Sequence, residues 1–254
     1  MTAPFKVVIP ARYASTRLPG KALLEIAGKP LLQHVYQAAC ASRAAAVVIA
    51  TDDERIRMVA EGFGAQVVMT AAAHQSGTDR IAEAVAKLKE RDDTIIVNVQ
   101  GDEYGLPYRI VDQLATALQT HSDKPMATLC VGMTDKSDLS NPHVVKVLFD
   151  RNNSAIYFSR SAIPWHEHAG EQPLEEFPLR PYRHVGIYAY RSGFLRTYSA
   201  LPPCPLEISE KLEQLRAIYH GYKIHVEPAC AACGMEVNTS EDLERARNAV
   251  KNRT

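Results

Sequence analysis

The chain lacks the features that would place it by composition alone. It carries no net charge, with 29 basic side chains against 29 acidic ones, so no general field draws it to nucleic acid or an anionic membrane. It lacks a long hydrophobic run. No stretch reaches the roughly 18 apolar residues of a membrane helix, and the apolar opening Val7–Ile9 is too short for a secretory signal and is followed by Pro10 and Arg12. A soluble cytoplasmic protein, with neither membrane nor nucleic acid as partner, is the expectation. The five cysteines, at 40, 130, 204, 230 and 233, form no disulfide framework, because their number is odd and their spacing wide. Cys230-Ala-Ala-Cys233 is a solitary CxxC with no second pair and no matching histidines for zinc. Pro228 and Gly234 mark it as a loop, not the helix start that a redox motif needs, so these read as ordinary thiols. Internal repeats, low-complexity runs and flexible linkers are also missing. What remains is 254 residues, 46% of them hydrophobic, enough for one sizeable core.

The patterning is that of an α/β protein. Buried-strand runs at Lys6–Pro10, Ala46–Ala50, Gln66–Met69 and Thr94–Val99 alternate with helical periodicity at Pro30–Ser42, Asp52–Gly62 (Asp53 as N-cap) and Thr78–Glu90. That alternation implies parallel crossovers and an open sheet. Such sheets bind ligands beyond the carboxyl ends of their strands, where this sequence has Arg12, Asp52 and the corner Gln100-Gly101-Asp102. After about residue 125 the pattern changes to strands at Met126–Met133, Val144–Asp150, Ser154–Pro164, Arg183–Tyr190 and Lys223–Glu227, with helices at Glu207–His220 and Thr239–Lys251. The reading is a single domain, 1–254, with an inserted or appended mixed region.

The stretch from Pro10 to Lys21, PARYASTRLPGK, is the most informative. It gathers Arg12, Arg17 and Lys21 with the hydroxyls of Ser15 and Thr16 and the permissive Gly20 in one loop after the first strand. Guanidinium forks and a compact ammonium are what a triphosphate needs, though a solvated basic loop is the plainer alternative. The loop is neither a Walker motif nor GxGxxG. Asp102 follows a buried strand, where a carboxylate calls for a partner or a cation. It is the best metal-ligand candidate, against the alternative of a turn cap.

At this loop the chain resembles the sugar-acid cytidylyltransferases, most closely the 3-deoxy-manno-octulosonate cytidylyltransferase (CMP-KDO synthetase) family. Further blocks match in order: Ala50-Thr51-Asp52-Asp53, His74 to Arg80 (HQSGTDR), Val97 to Glu103 (VNVQGDE), Tyr157 to Arg160 (YFSR), Ile163-Pro164-Trp165, Arg183 to Tyr188 (RHVGIY), Leu212 to Arg216 (LEQLR) and Thr239 to Leu243 (TSEDL). The resemblance implies a Rossmann-like nucleotide-diphospho-sugar transferase fold with a mostly parallel central sheet, and a sugar-acid and dimerisation region at about 125–225. It also implies a magnesium-dependent homodimer that joins CTP to an acidic eight-carbon sugar, with release of diphosphate, in lipopolysaccharide synthesis. By resemblance Lys21, Arg17 and Asp102 are catalytic. Arg12, Ser15, Arg17, Lys21, Asp52, Gln75, Ser76, Gly77 and Arg80 bind CTP. Gln100, Arg160, His184, Tyr188, Glu213 and Gln214 bind the sugar, Arg160 through its carboxylate, and Asp102 and Asn238 hold the metal. Taken alone, HQSGTDR reads rather as a helix entry, Tyr188 as core and Glu213 as a solvated helix face.

Two departures stand out. Asn238, in Glu236-Val237-Asn238-Thr239, replaces the family's usual aspartate with a neutral oxygen, which weakens a hard-cation site. Tyr104-Gly105 replaces the usual proline after Glu103. These leave open an 8-amino-octulosonate or another ulosonic acid as acceptor, or a catalytically weakened sugar-nucleotide-binding homologue.

Overall fold

The structure, a computed structural model, describes residues 4–14, 17–74, 76–166 and 173–251. The first half builds a parallel body from β1 (Phe5–Ala11), the short hairpin β2 (Glu25–Ile26) and β3 (Lys29–Pro30), α1 (Leu31–Cys40), β4 (Ala46–Thr51), α2 (Glu54–Gly62), β5 (Gln66–Met69), α3 (Gly77–Lys87) and β6 (Ile95–Asn98). Val7, Val8 and Ile9 are fully buried, as are Ile96 and Val97. Strands covered on both faces read as unbroken apolar runs, which is why these were legible. Asp53 caps α2, accepting from the Arg55 amide.

The order β6-β1-β4-β5 is parallel throughout. The chain runs outward from β1 through β4 to β5, then returns to place β6 on the other side of β1. The strand order reverses there, so a crevice opens beyond the carboxyl ends of β1 and β6. Gly101 turns the chain at that point: a Cβ would sit 2.9 Å from the Pro10 carbonyl oxygen, so only glycine lets the two strand ends approach so closely.

The second half comprises β7 (Glu103–Tyr104), α4 (Tyr108–Thr120), β8 (Met126–Gly132), α5 (Ser137–Ser140), β9 (Lys146–Phe149), β10 (Ala155–Ser159), β11 (Tyr182–Arg191), α6 (Ser192–Ala200), α7 (Pro205–Glu210), α8 (Gln214–Tyr219), β12 (Ile224–Pro228), β13 (Met235–Glu236) and α9 (Ser240–Lys251). The long strand β11 joins this half to the body, pairing antiparallel with β6, β8 and β9. The mixed region is thus an extension of the same sheet, and β13 returns to pair with β7 beside the crevice.

Several expectations needed correction. The predicted helix Glu207–His220 is two helices, because Lys211 adopts left-handed angles (φ 53°, ψ 47°) and turns the chain between α7 and α8. The strand expected over Ser154–Pro164 ends at Ser159. Helices α4 and α6 were not anticipated. Their apolar faces, including Ile110, Leu114 and Leu118 on α4 and Phe194, Leu195 and Tyr198 on α6, are buried against the sheet.

Candidate active site

The crevice holds one cleft with three lobes, and Gln100 lines all of them. The outermost, about 340 Å³, is lined by Arg12, Arg17, Lys21, Gln100, Asp102, Glu236 and Asn238. Gly20, at φ 68°, donates its amide to the Tyr13 carbonyl (2.9 Å), folding the loop back so that Lys21 opens the next turn facing the crevice. The Lys21 ammonium donates to Asp102 Oδ2 and, at 3.0 Å, to Asn238 Oδ1. Arg12 and Arg17 are exposed and have no ion-pair partner among the described residues. Asn238 Nδ2 donates to Glu236 Oε2 at 2.7 Å. Beneath them Glu103 is buried; desolvation first, then the charges of Glu236 and Asp102, push its carboxyl up to about 8.

The middle lobe, about 200 Å³, is walled by Pro10, Arg12, Lys21, His74, Ser76, Gly77, Arg80 and Glu213. Ser76 caps α3, accepting from the Asp79 amide at 3.1 Å, so this segment is both a helix entry and a cleft wall. Arg80 is buried. It pairs with Asp52 at 3.2 Å and donates to Thr70 Oγ1 at 2.6 Å. Asp52 does not line the cleft; it stands behind Arg80, its Oδ1 buried without a hydrogen-bond partner.

The inner lobe, about 300 Å³, is lined by Thr78, Asn98, Gln100, His184, Tyr188, Tyr190, Lys211, Glu213 and Gln214 among others. Alternation along β11 sends Val185, Ile187 and Ala189 into one core and turns His184, Tyr188 and Tyr190 to the lobe; a bulge between Val185 and Tyr188 preserves that alternation. Burial keeps the β11 side chains of this lobe uncharged. Desolvation lowers His184 to about 3 and raises the Tyr188 and Tyr190 hydroxyls well above their ordinary value. Glu213 faces open cleft, yet desolvation by the surrounding walls raises its carboxyl too. The Gln214 Nε2 is buried with no partner, a donor available to a bound hydroxyl.

The structure therefore gathers Arg12, Arg17, Lys21, Ser76, Gly77, Arg80, Gln100, Asp102, His184, Tyr188, Glu213, Gln214 and Asn238. Ser15 and Gln75 lie outside the described residues. Arg160 is not brought to the lining. Its Nε donates to the Glu210 carbonyl at 2.7 Å and its Nη1 to the Pro142 carbonyl at 2.8 Å. Among the described residues the cation lining the inner lobe is Lys211. Tyr104 also stands away from the lining, its ring edge-on to His34 with centroids 5.3 Å apart. The Tyr104-Gly105 departure thus supplies no group to the acceptor site. Asn98, Tyr190 and Glu236 were missed as site residues. Asn98 had a signal in hindsight: an amide within the apolar strand TIIVNV requires polar partners. Cys230 and Cys233 are free thiols in the loop before β13.

The divalent ion expected here would meet a small donor set: the Asp102 and Glu236 carboxylates and the Asn238 amide oxygen. No group of three or more His, Cys, Asp or Glu suited to a metal occurs among the described residues. The set fits magnesium, which takes one or two carboxylates and completes its shell with phosphate and water.

The comparisons agree with this geometry. A cytidylyltransferase family model matches residues 6–224. A 3-deoxy-manno-octulosonate cytidylyltransferase of Thioalkalivibrio sulfidiphilus is 51% identical over 247 residues, covering 97% of this chain and 99% of the relative. One from Coxiella burnetii is 52% identical over 244 residues, covering 96% and 98%. Among solved structures, a CMP:2-keto-3-deoxy-manno-octonic acid synthetase complexed with CTP superposes with a TM-score of 0.90 at 40% identity, covering 99% of this chain and 100% of that one. A Leptospira borgpetersenii cytidylyltransferase, 18% identical with a TM-score of 0.64, shares the fold over 98% of this chain and 88% of its own. With a basic loop and an acidic corner meeting at the sheet's reversal point, and relatives matched over nearly their whole length, the chain belongs to the cytidylyltransferase family, among its 3-deoxy-manno-octulosonate cytidylyltransferase members.

Proposed function

We propose that this protein transfers CMP from CTP to the anomeric hydroxyl of 3-deoxy-manno-octulosonate and releases diphosphate. One observation carries the reading: a lobe of cations facing Asp102 opens, past Gln100 and Glu213, into a lobe rich in buried hydrogen-bonding groups. The anomeric oxygen bonds to the α-phosphorus, the bond from that phosphorus to the diphosphate oxygen breaks, and the hydroxyl proton passes to water. Negative charge grows on the departing diphosphate, so groups already aimed at it act without reorganising. Arg12 and Arg17 bind the β- and γ-phosphates as open guanidinium forks. Lys21 is held by Asp102 and Asn238 at the position where the transferred phosphoryl group must pass. Ser76, Gly77 and Arg80 border the base.

In the inner lobe, His184 stays neutral and offers one ring N–H and one acceptor. Gln214 and Glu213 supply donor and acceptor to sugar hydroxyls, and Lys211 is the cation placed for the sugar carboxylate. Asp102, Asn238 and Glu236 would hold magnesium, which when bound offsets charge on the phosphate oxygens. Asn238 contributes no charge there, and Glu236 supplies a carboxylate two residues earlier.

The family likeness also supports a homodimer, a cytoplasmic location and a role in lipopolysaccharide synthesis. Ile156, Trp165 and Leu179, all exposed within the 125–225 region, are apolar surface that a second copy would cover. No helix among the described residues is long and apolar enough to cross a membrane.

The test is diphosphate release with CTP, ATP, GTP and UTP, each against octulosonate, its 8-amino analogue and a nonulosonic acid. Turnover should require CTP and be fastest with octulosonate. CTP binding without turnover on any acid would leave a binding protein in place of an enzyme.

A further inference from the structure

Glu210, the last residue of α7, is tied to the end of β10 by both its side chain and its backbone. Ser159 Oγ donates to Glu210 Oε1 at 2.6 Å, and the Arg160 amide donates to Oε2 at 2.9 Å. The Arg160 Nε donates to the Glu210 carbonyl at 2.7 Å. Ser159 is buried and Glu210 half-buried, so water competes weakly for these bonds. The end of β10 is itself anchored from the other side. The fully buried Lys146 donates to the Arg160 carbonyl at 2.5 Å, and to the Asn141 and Val144 carbonyls at 3.0 and 2.7 Å. Glu210 therefore grips a fixed segment of the sheet.

The next residue is Lys211, the cation of the inner lobe. Its left-handed angles are ones that a residue with a Cβ keeps only when its surroundings impose them. The peptide group joining Glu210 to Lys211 is held at both ends. Its oxygen accepts from Arg160, and its N–H donates to the Glu207 carbonyl. The Lys211 ammonium makes no hydrogen bond or ion pair among the described residues. With its tip unheld, the side chain takes its direction from the backbone beneath it. Glu213, further along the turn, is secured separately: Thr78 Oγ1 donates to its carboxylate at 3.2 Å and the Tyr198 hydroxyl to its carbonyl at 2.7 Å. Loss of the Glu210 clamp should therefore fall on Lys211.

We propose that Glu210 is a positioning residue that aims Lys211 at the carboxylate of the acceptor sugar, with Arg160 as its link to the sheet. Glu210 touches no substrate. Its effect passes through Lys211, and the inference rests on the carboxylate-binding role given to Lys211 above.

The experiment uses the full-length enzyme and measures KM for the sugar, KM for CTP, kcat and thermal midpoint. The variants are Glu210→Ala, Glu210→Gln, Ser159→Ala, Lys211→Met, and Lys211→Met combined with each of the two alanine changes. Glu210→Ala should raise the sugar KM about tenfold, with the CTP KM within about twofold. Glu210→Gln keeps an oxygen for the Arg160 amide and a polar atom for Ser159, and should hold the sugar KM within about threefold of wild type. In the Lys211→Met background, Glu210→Ala should add less than about twofold, because a residue that acts through another has nothing left to lose. If Lys211→Met raises the sugar KM and Glu210→Ala does not, the inference fails alone. If Lys211→Met leaves the sugar KM unchanged, the carboxylate reading fails and the inference falls with it. Losses that multiply in the double variant, equal losses for CTP and sugar, or a lower thermal midpoint with unchanged KM values reduce Glu210 to a structural residue and overturn the inference. Should Glu210→Ala fail to fold, Ser159→Ala decides: it should raise the sugar KM about threefold when Lys211 is present and not when it is Met, and no change would overturn the inference.

Discussion

The outer and inner lobes of the cleft share Gln100 and little else in character. The outer one is built from loops and short strands, is open to solvent, and is lined by ionisable groups: Lys21 paired with Asp102, and Arg12 and Arg17 with no ion-pair partner among the described residues. The inner one is built largely on β11 and β6, and burial holds His184 and the tyrosines neutral. A polyphosphate is recognised by charge and tolerates solvent. A polyhydroxylated sugar is recognised by the placement of donors and acceptors, which is strongest where water is excluded. The protein keeps the two forms of recognition apart and couples them at Gln100 and Glu213.

Substitutions can break that contrast at different points. The largest effect belongs to Lys21→Met, which removes the cation beside Asp102. Diphosphate release should fall about 10²- to 10³-fold, while sugar binding measured by calorimetry is retained; loss of sugar binding as well would mean that the lobes are not separate. Arg80→Met strips Asp52 of its ion-pair partner, and because that carboxylate already has an unpartnered buried oxygen, denaturant unfolding should show a loss of roughly 3 kcal/mol.

His184 sharpens the inner side. Its folded pKa, about 3, lies below the unfolded value near 6.5, so the unfolded chain binds the proton first as pH falls. Its stabilising contribution is complete above about 6.5 and is lost toward 3. Between pH 7 and 5 the wild type should lose about 2 kcal/mol more than His184→Asn in urea unfolding; equal losses would show that the imidazole is not held neutral. Lys211→Met should raise the sugar KM about tenfold with CTP use unchanged, an effect absent for an analogue whose carboxylate is replaced by an amide. The smallest change is Asn238→Asp. It adds a charged oxygen to the outer lobe and should tighten magnesium several-fold in a direct metal titration without turnover.

Much of the parallel body was legible, because β1, β4, β5 and β6 are apolar runs of strand length separated by helical periods. The basic wall of the cleft was legible because three cations and a glycine lie within twelve residues after the first strand. Arg160 shows the opposite case, a residue placed by a motif and not by its chemistry. A motif match carries no information on whether a guanidinium is already occupied, and here the Glu210 and Pro142 carbonyls take it. The helix break at Lys211 was invisible because lysine ordinarily favours helix, and only packing around that turn holds a non-glycine residue at positive φ.

From its own residues the chain determined an open parallel sheet, with Arg12, Lys21 and Asp102 placed beyond its strand ends; strand hydrophobicity and loop chemistry are local properties. Tertiary structure alone decided that β11, some 90 residues beyond β6, would lie beside it in the register Tyr188 to Asn98. That pairing brings the buried inner lobe against the charged outer one. Non-local pairing of this kind depends on the summed burial of both cores, which no single stretch of sequence contains.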